Sequence, residues 1–134
     1  MLEINNTTRK KINLVKTKKI VEDWLVKNKK KNWEVSLAVV GASRMKSLNN
    51  VYRGINKTTD VLSFTELKEI IINIEEVKKA NKYLEVFGEK KSAEYIFYFL
   101  LVHGLLHLIG LNDDEDADRL KMISLGKKFL SNYF

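Results

Sequence analysis

Hydrophobic positions along the chain alternate between strand-like and helix-like spacing. LEINN at 2–6 predicts a short first strand, and residues 16–30 set Ile20, Val21, Trp24 and Leu25 at helical spacing among lysines. WEVSLAVV at 33–40 alternates and then turns wholly apolar, as a strand covered on both faces would, and Gly41 ends it. Ser43 is a candidate cap for a helix running to about Tyr52, with Gly54 as its stop. DVLSF at 60–64 and EIIINI at 69–74 predict two more strands. Helices are expected at 75–87, at 92–109 and, with an amphipathic pattern, at 115–131. No repeat or low-complexity linker interrupts this order. It predicts an α+β fold: a small mixed β-sheet packed with helices, with the strongly apolar helix that carries both histidines at its centre.

A chain of 134 residues, 45% of them hydrophobic, is expected to fold as one domain over 1–134, because two domains would each have a marginal core. The absence of cysteine excludes disulfides and thiolate metal sites. MLEINNTTRKK lacks the apolar stretch of a signal peptide. The apolar run at 95–109 is shorter than the roughly 20 residues of a membrane span. A soluble cytoplasmic protein without membrane association is therefore expected. Residues 1–35 hold ten Lys or Arg against four Asp or Glu, a balance of +6, and the remainder holds fourteen against thirteen. Such a basic region suits a polyanion such as RNA, but a lysine-rich composition with a solvated helix produces the same count.

The chemistry concentrates in HGLLHLIGLND at 103–113. On a helix His103 and His107 share a face, and Gly110 can end that helix in a left-handed turn that swings Asp113 back towards them. Two imidazoles and a carboxylate form a metal-ligand set that leaves a fourth position open for water. The alternative is a pair of satisfied core histidines, since HxxxH alone is a short pattern. Against it, these are the chain's only two histidines, and apolar neighbours cannot satisfy their ring nitrogens. The position after the first histidine is Gly104, where zinc peptidases of the HExxH kind carry the glutamate that serves as base, so peptide hydrolysis is not expected. A glycine inside a helix costs about 1 kcal/mol relative to alanine and implies a close neighbour, either a strand or the substrate.

HGLLHLIGLND resembles the H-G-x-L-H-L-x-G-Y-D-H pattern of the YbeY family of bacterial single-strand endoribonucleases. Arg53-Gly54 followed by Thr59-Asp60-Val61-Leu62-Ser63-Phe64 resembles that family's R-G and T-D-V-L-S-F, and the likeness runs from about residue 33 to the end. It implies a metal-dependent endoribonuclease acting on single-stranded RNA in ribosomal RNA maturation or ribosome quality control, with ribosomal RNA or the ribosome as partner. It implies zinc on His103, His107 and residue 113, and makes Arg53 the candidate for gripping the scissile phosphate, a task suited to a guanidinium. Leu111-Asn112-Asp113 stands where the family has Tyr-Asp-His, so the third imidazole becomes a carboxylate. That exchange keeps a ligand but makes manganese or another divalent ion more plausible. Asp114 is an alternative third ligand. Asp60 either orients Arg53 or a histidine or only begins its strand, and Ser63 is expected to be structural. The competing expectation is a non-catalytic ribosome- or RNA-associated protein whose metal is structural or lost.

Overall fold

A computed structural model describes all 134 residues, Met1–Phe134. Four strands form one sheet in the order β1-β2-β4-β3: β1 (Leu2–Asn6), β2 (Val35–Val40), β3 (Val61–Phe64) and β4 (Glu69–Asn73). β1 and β2 pair in parallel, as do β2 and β4, while β3 runs antiparallel to β4 and forms an edge. The sheet is therefore mixed, and the α+β fold expected from the sequence holds.

Helix α1 (Leu14–Lys27) buries Ile20, Val21, Trp24 and Leu25, the stripe read from the sequence. It begins earlier than the expected residue 16 because the Asn13 side chain accepts from the Lys16 amide. It stops short of residue 30 because Asn28 donates backbone and side-chain N–H groups to the Trp24 carbonyl and Lys29 turns to φ +58°. On the other face of the sheet lies α2 (Ala42–Arg53), whose Met45 joins Val40, Leu62 and Ile71 in a small cluster. Gly41, not Ser43, occupies the cap position of α2, and no side chain caps it. Gly54 ends it at φ +70°.

Residues 75–87 do not form the single helix expected. Two 3₁₀ turns, Glu76–Lys78 and Ala80–Tyr83, lead into a one-turn helix α3 (Leu84–Phe87). The inward-facing positions Val77, Ala80 and Tyr83 are three apart, the repeat of a 3₁₀ turn. The buried Glu76 carboxylate draws in Lys79 at 2.7 Å and Lys82 at 2.6 Å at that same spacing.

Helix α4 (Ala93–Leu108) buries twelve of its sixteen residues, and α5 (Asp116–Leu130) packs beside it. Together with α1 they enclose a core of 28 buried residues on the face of the sheet opposite α2. No helix is long and apolar enough to cross a membrane. Gly104 is what lets α4 settle onto the sheet: a Cβ there would lie 2.9 Å from Ile70 Cγ2 and 3.1 Å from Ser63 Oγ. The close neighbour implied by this glycine is thus a pair of strands. Ser63 also donates from Oγ to the Gly104 carbonyl at 3.4 Å.

Candidate metal centre

Ser92 caps α4 by accepting from the Tyr95 amide, and the helix then carries His103 and His107 on one face to its C-terminal end. Beyond Leu108 the chain closes with the Gly110 amide donating to His107 O at 3.0 Å and the Leu111 amide to Leu106 O at 3.2 Å. This paired closure requires a left-handed residue, and Gly110 supplies it at φ +100°. The turn returns Asp113 to the histidines: Oδ2 lies 3.2 Å from His103 Nε2 and 3.7 Å from His107 Nε2. One ligand atom from each of the three falls within 4.8 Å of the others, so the group can hold a metal ion. Ligands bound at 2.0–2.2 Å around a tetrahedral ion stand roughly 3.3–3.6 Å apart, and the two distances from Asp113 bracket that range.

Proton placement on the rings also suits a cation. His107 Nδ1 lies 3.0 Å from the Leu111 carbonyl, which can only accept, so the proton sits on Nδ1 and the Nε2 lone pair is free. The glycine turn therefore positions Asp113, the third candidate ligand, and also fixes the tautomer of His107. His103 Nδ1 is buried and has no hydrogen-bond partner. Burial pushes the His103 pKa below its ordinary value of 6.5, and repulsion from His107 adds to this against the opposing pull of Asp113. A neutral imidazole is the form that binds a metal.

These side chains open into a cleft of about 530 Å³. Arg53, on the last turn of α2, lines the same cleft and is exposed, as is Arg119 on α5. The side chain of Asp114 does not reach the cluster; its amide donates to Asn112 Oδ1 at 3.4 Å. Asp60 lines the cleft but bonds neither Arg53 nor a histidine: one of its oxygens accepts from the Val61 amide at 2.8 Å and the other from the Tyr83 hydroxyl at 3.0 Å. Burial and the Asp60 charge push the Tyr83 pKa far up, so that hydroxyl remains a donor.

Several of these roles had no mark in the sequence. The loop from Arg53 to Asp60 is pinned by two buried asparagines: Asn49 donates to Lys57 O at 2.8 Å, and Asn73 to Thr58 Oγ1 and Thr59 O at 3.1 Å each. Arg119 carries a faint signal, the first basic residue after the acidic run DDEDAD. Its only ionic partner is the exposed Asp116 at 3.7 Å. The basic quarter of the chain is elsewhere, since no residue of 1–35 lines the cleft.

Comparison with known proteins identifies the family of the chain. A family model described as endoribonuclease YbeY matches residues 3–133. A protein of that name from Thermodesulfovibrio yellowstonii is 37% identical over 110 residues, covering 73% of this chain and 65% of that protein, just under two thirds of its length. Another from Caldicellulosiruptor saccharolyticus is 36% identical over 126 residues and covers 78% of each chain. A solution structure of a Thermotoga maritima protein superposes with a TM-score of 0.68 at 26% identity, covering 98% of this chain and 87% of that one. The chain belongs to the YbeY endoribonuclease family.

Proposed function

We propose that this protein is a metal-dependent endoribonuclease of single-stranded RNA, acting in ribosomal RNA maturation or ribosome quality control, with zinc or another divalent ion held by His103, His107 and Asp113. The observation that carries this reading is the convergence of those three ligand atoms in the cleft that Arg53 also lines. When bound, the ion supplies Lewis-acid polarisation of a phosphate oxygen and a low-pKa water. Arg53 offers a phosphodiester two N–H groups and a permanent charge, which binds the substrate and stabilises the charge that grows on phosphorus-bound oxygens. Leu111 O keeps the His107 proton on Nδ1, and Asp60, held by Tyr83, adds negative charge beside the histidines without occupying a ligand position.

The experiment is metal analysis of the purified protein together with cleavage of a labelled single-stranded RNA before and after chelation. Cleavage that is lost on chelation and restored by one divalent ion supports the reading. A metal-loaded protein that binds RNA without cutting it favours instead the non-catalytic RNA-associated alternative, which the carboxylate at position 113 makes a chemical possibility.

A further inference from the structure

Two arginines and two carboxylates line the metal cleft: Arg53 and Arg119 against Asp60 and Asp113. With both imidazoles neutral, the form that binds a metal, these four charges cancel. A histidine at 113, as in the family pattern, would leave the same cleft with one positive charge in excess. Asp113 thus costs the cleft part of its attraction for an anion, and without Arg119 the balance would fall to one negative charge.

Nothing in the packing of α5 accounts for a cation at 119. It is the fourth residue of the helix, near the end whose partial positive charge suits Asp116 and Asp118 and disfavours an arginine. Its ionic partner Asp116 stands 3.7 Å away with a side chain 94% exposed, too far for a hydrogen bond and a kind of pair that contributes little. The Arg119 side chain is itself 59% exposed, so its N–H donors are open to a ligand.

Its position selects the ligand. Ile123, one turn further along α5, lines the cleft together with Arg119, so this face of the helix is turned to the site. α5 packs on α4, whereas α2, which carries Arg53, lies on the other face of the sheet. The histidines on α4 therefore stand between the two arginines. A polyanion laid across them meets one guanidinium on each side, an arrangement for successive phosphates of one strand.

We infer that Arg119 is a substrate-binding residue that takes an RNA phosphate on the α5 side of the metal site and offsets the charge of Asp113. This rests on the reading of the cleft as an RNA site, and it adds a residue and a charge relation that the motif blocks do not contain.

The test is fluorescence anisotropy of the full chain, as purified, with a short labelled 2′-O-methyl phosphorothioate oligoribonucleotide, which keeps one negative charge per linkage and resists cleavage. Arg119→Ala is expected to bind about tenfold more weakly, the scale of losing a charge-assisted contact, and its log–log salt dependence should be shallower by roughly 0.7. Arg44→Ala, which removes an exposed arginine outside the cleft, should bind as the wild type does. The double variant Asp113→His, Arg119→Ala restores the charge balance of the cleft and should return close to wild-type affinity, a recovery that a merely structural role for Arg119 would not show. Arg119 is exposed, so unchanged circular dichroism will verify the fold of its variants. Undiminished binding by Arg119→Ala, or an equal loss in Arg44→Ala, overturns the proposal. A double variant as weak as Arg119→Ala overturns the charge relation with Asp113. Because the readout is binding, a protein that holds RNA through Arg119 without cutting it would sink the nuclease reading and leave this inference standing. Chelation-sensitive cleavage with unaltered binding in Arg119→Ala would do the reverse.

Discussion

Asp113 Oδ2 stands 3.2 Å and 3.7 Å from the two imidazole nitrogens, so truncating it removes one of the three proposed ligands and leaves only the histidines at the proposed site. Asp113→Ala is expected to weaken zinc binding, and Asp113→His to retain or strengthen it; equal zinc affinity of wild type and alanine variant in calorimetry would rule the carboxylate out as a ligand. Arg53 is exposed at a helix end. Its truncation to alanine should leave stability within about ±0.5 kcal/mol while raising the barrier to RNA cleavage by roughly 2.7–4 kcal/mol. Wild-type cleavage rates in that variant would remove Arg53 from the mechanism. His103 gives a pH prediction for the metal-free protein. Its folded-state pKa lies below 6.5, so below that value the unfolded chain binds more protons than the folded one, and stability rises with pH through the window between the two values. The urea midpoint should therefore be steady above about pH 7 and fall as the pH drops below about 6.5, and His103→Gln should flatten that fall. A wild-type midpoint independent of pH across this range would contradict the assignment.

Among the elements, α4 is where packing is tightest. Gly104→Ala forces a Cβ to within 2.9 Å of Ile70 Cγ2, so overpacking should destabilise the protein by about 1–3 kcal/mol in urea denaturation. Adding Ile70→Val removes the Cδ1 contact at 3.1 Å and should recover part of that loss; a neutral Gly104→Ala would show that the helix can shift away from the sheet. The glycine could be singled out in the sequence because it interrupts a strong helix, and the strands and α1 were legible because their apolar residues repeat at one period. The 75–87 segment was not, because a repeat of three with a buried glutamate looks helical until Lys79 and Lys82 are seen to satisfy it from both sides. The convergence of His103, His107 and Asp113 followed from spacing and a glycine, both local features. Tyr83 on Asp60, and the asparagines that pin the loop behind Arg53, depend on contacts between positions 8 to 23 residues apart that no pattern displays.

For the whole molecule, the sheet divides the protein unequally: α2 and a cluster of four buried residues on one face, a core of 28 on the other. The helix that bears the histidines supplies a large share of that core, Tyr95 to Val102 together with Leu105, Leu106 and Leu108. The shape of that helix is therefore set by apolar burial and by its contact with β3 and β4, not by anything bound at its end. In zinc fingers, by contrast, ion and fold arrive together, and chelators unfold the domain. Here the cup should persist when drained. Exhaustive dialysis against a chelator is expected to leave far-ultraviolet circular dichroism unchanged and to lower the melting temperature only by the mass-action term of a lost ligand. Refilling would then need no refolding, so the identity of the ion in a living cell would follow which divalent metal is in supply as well as which one the pocket prefers.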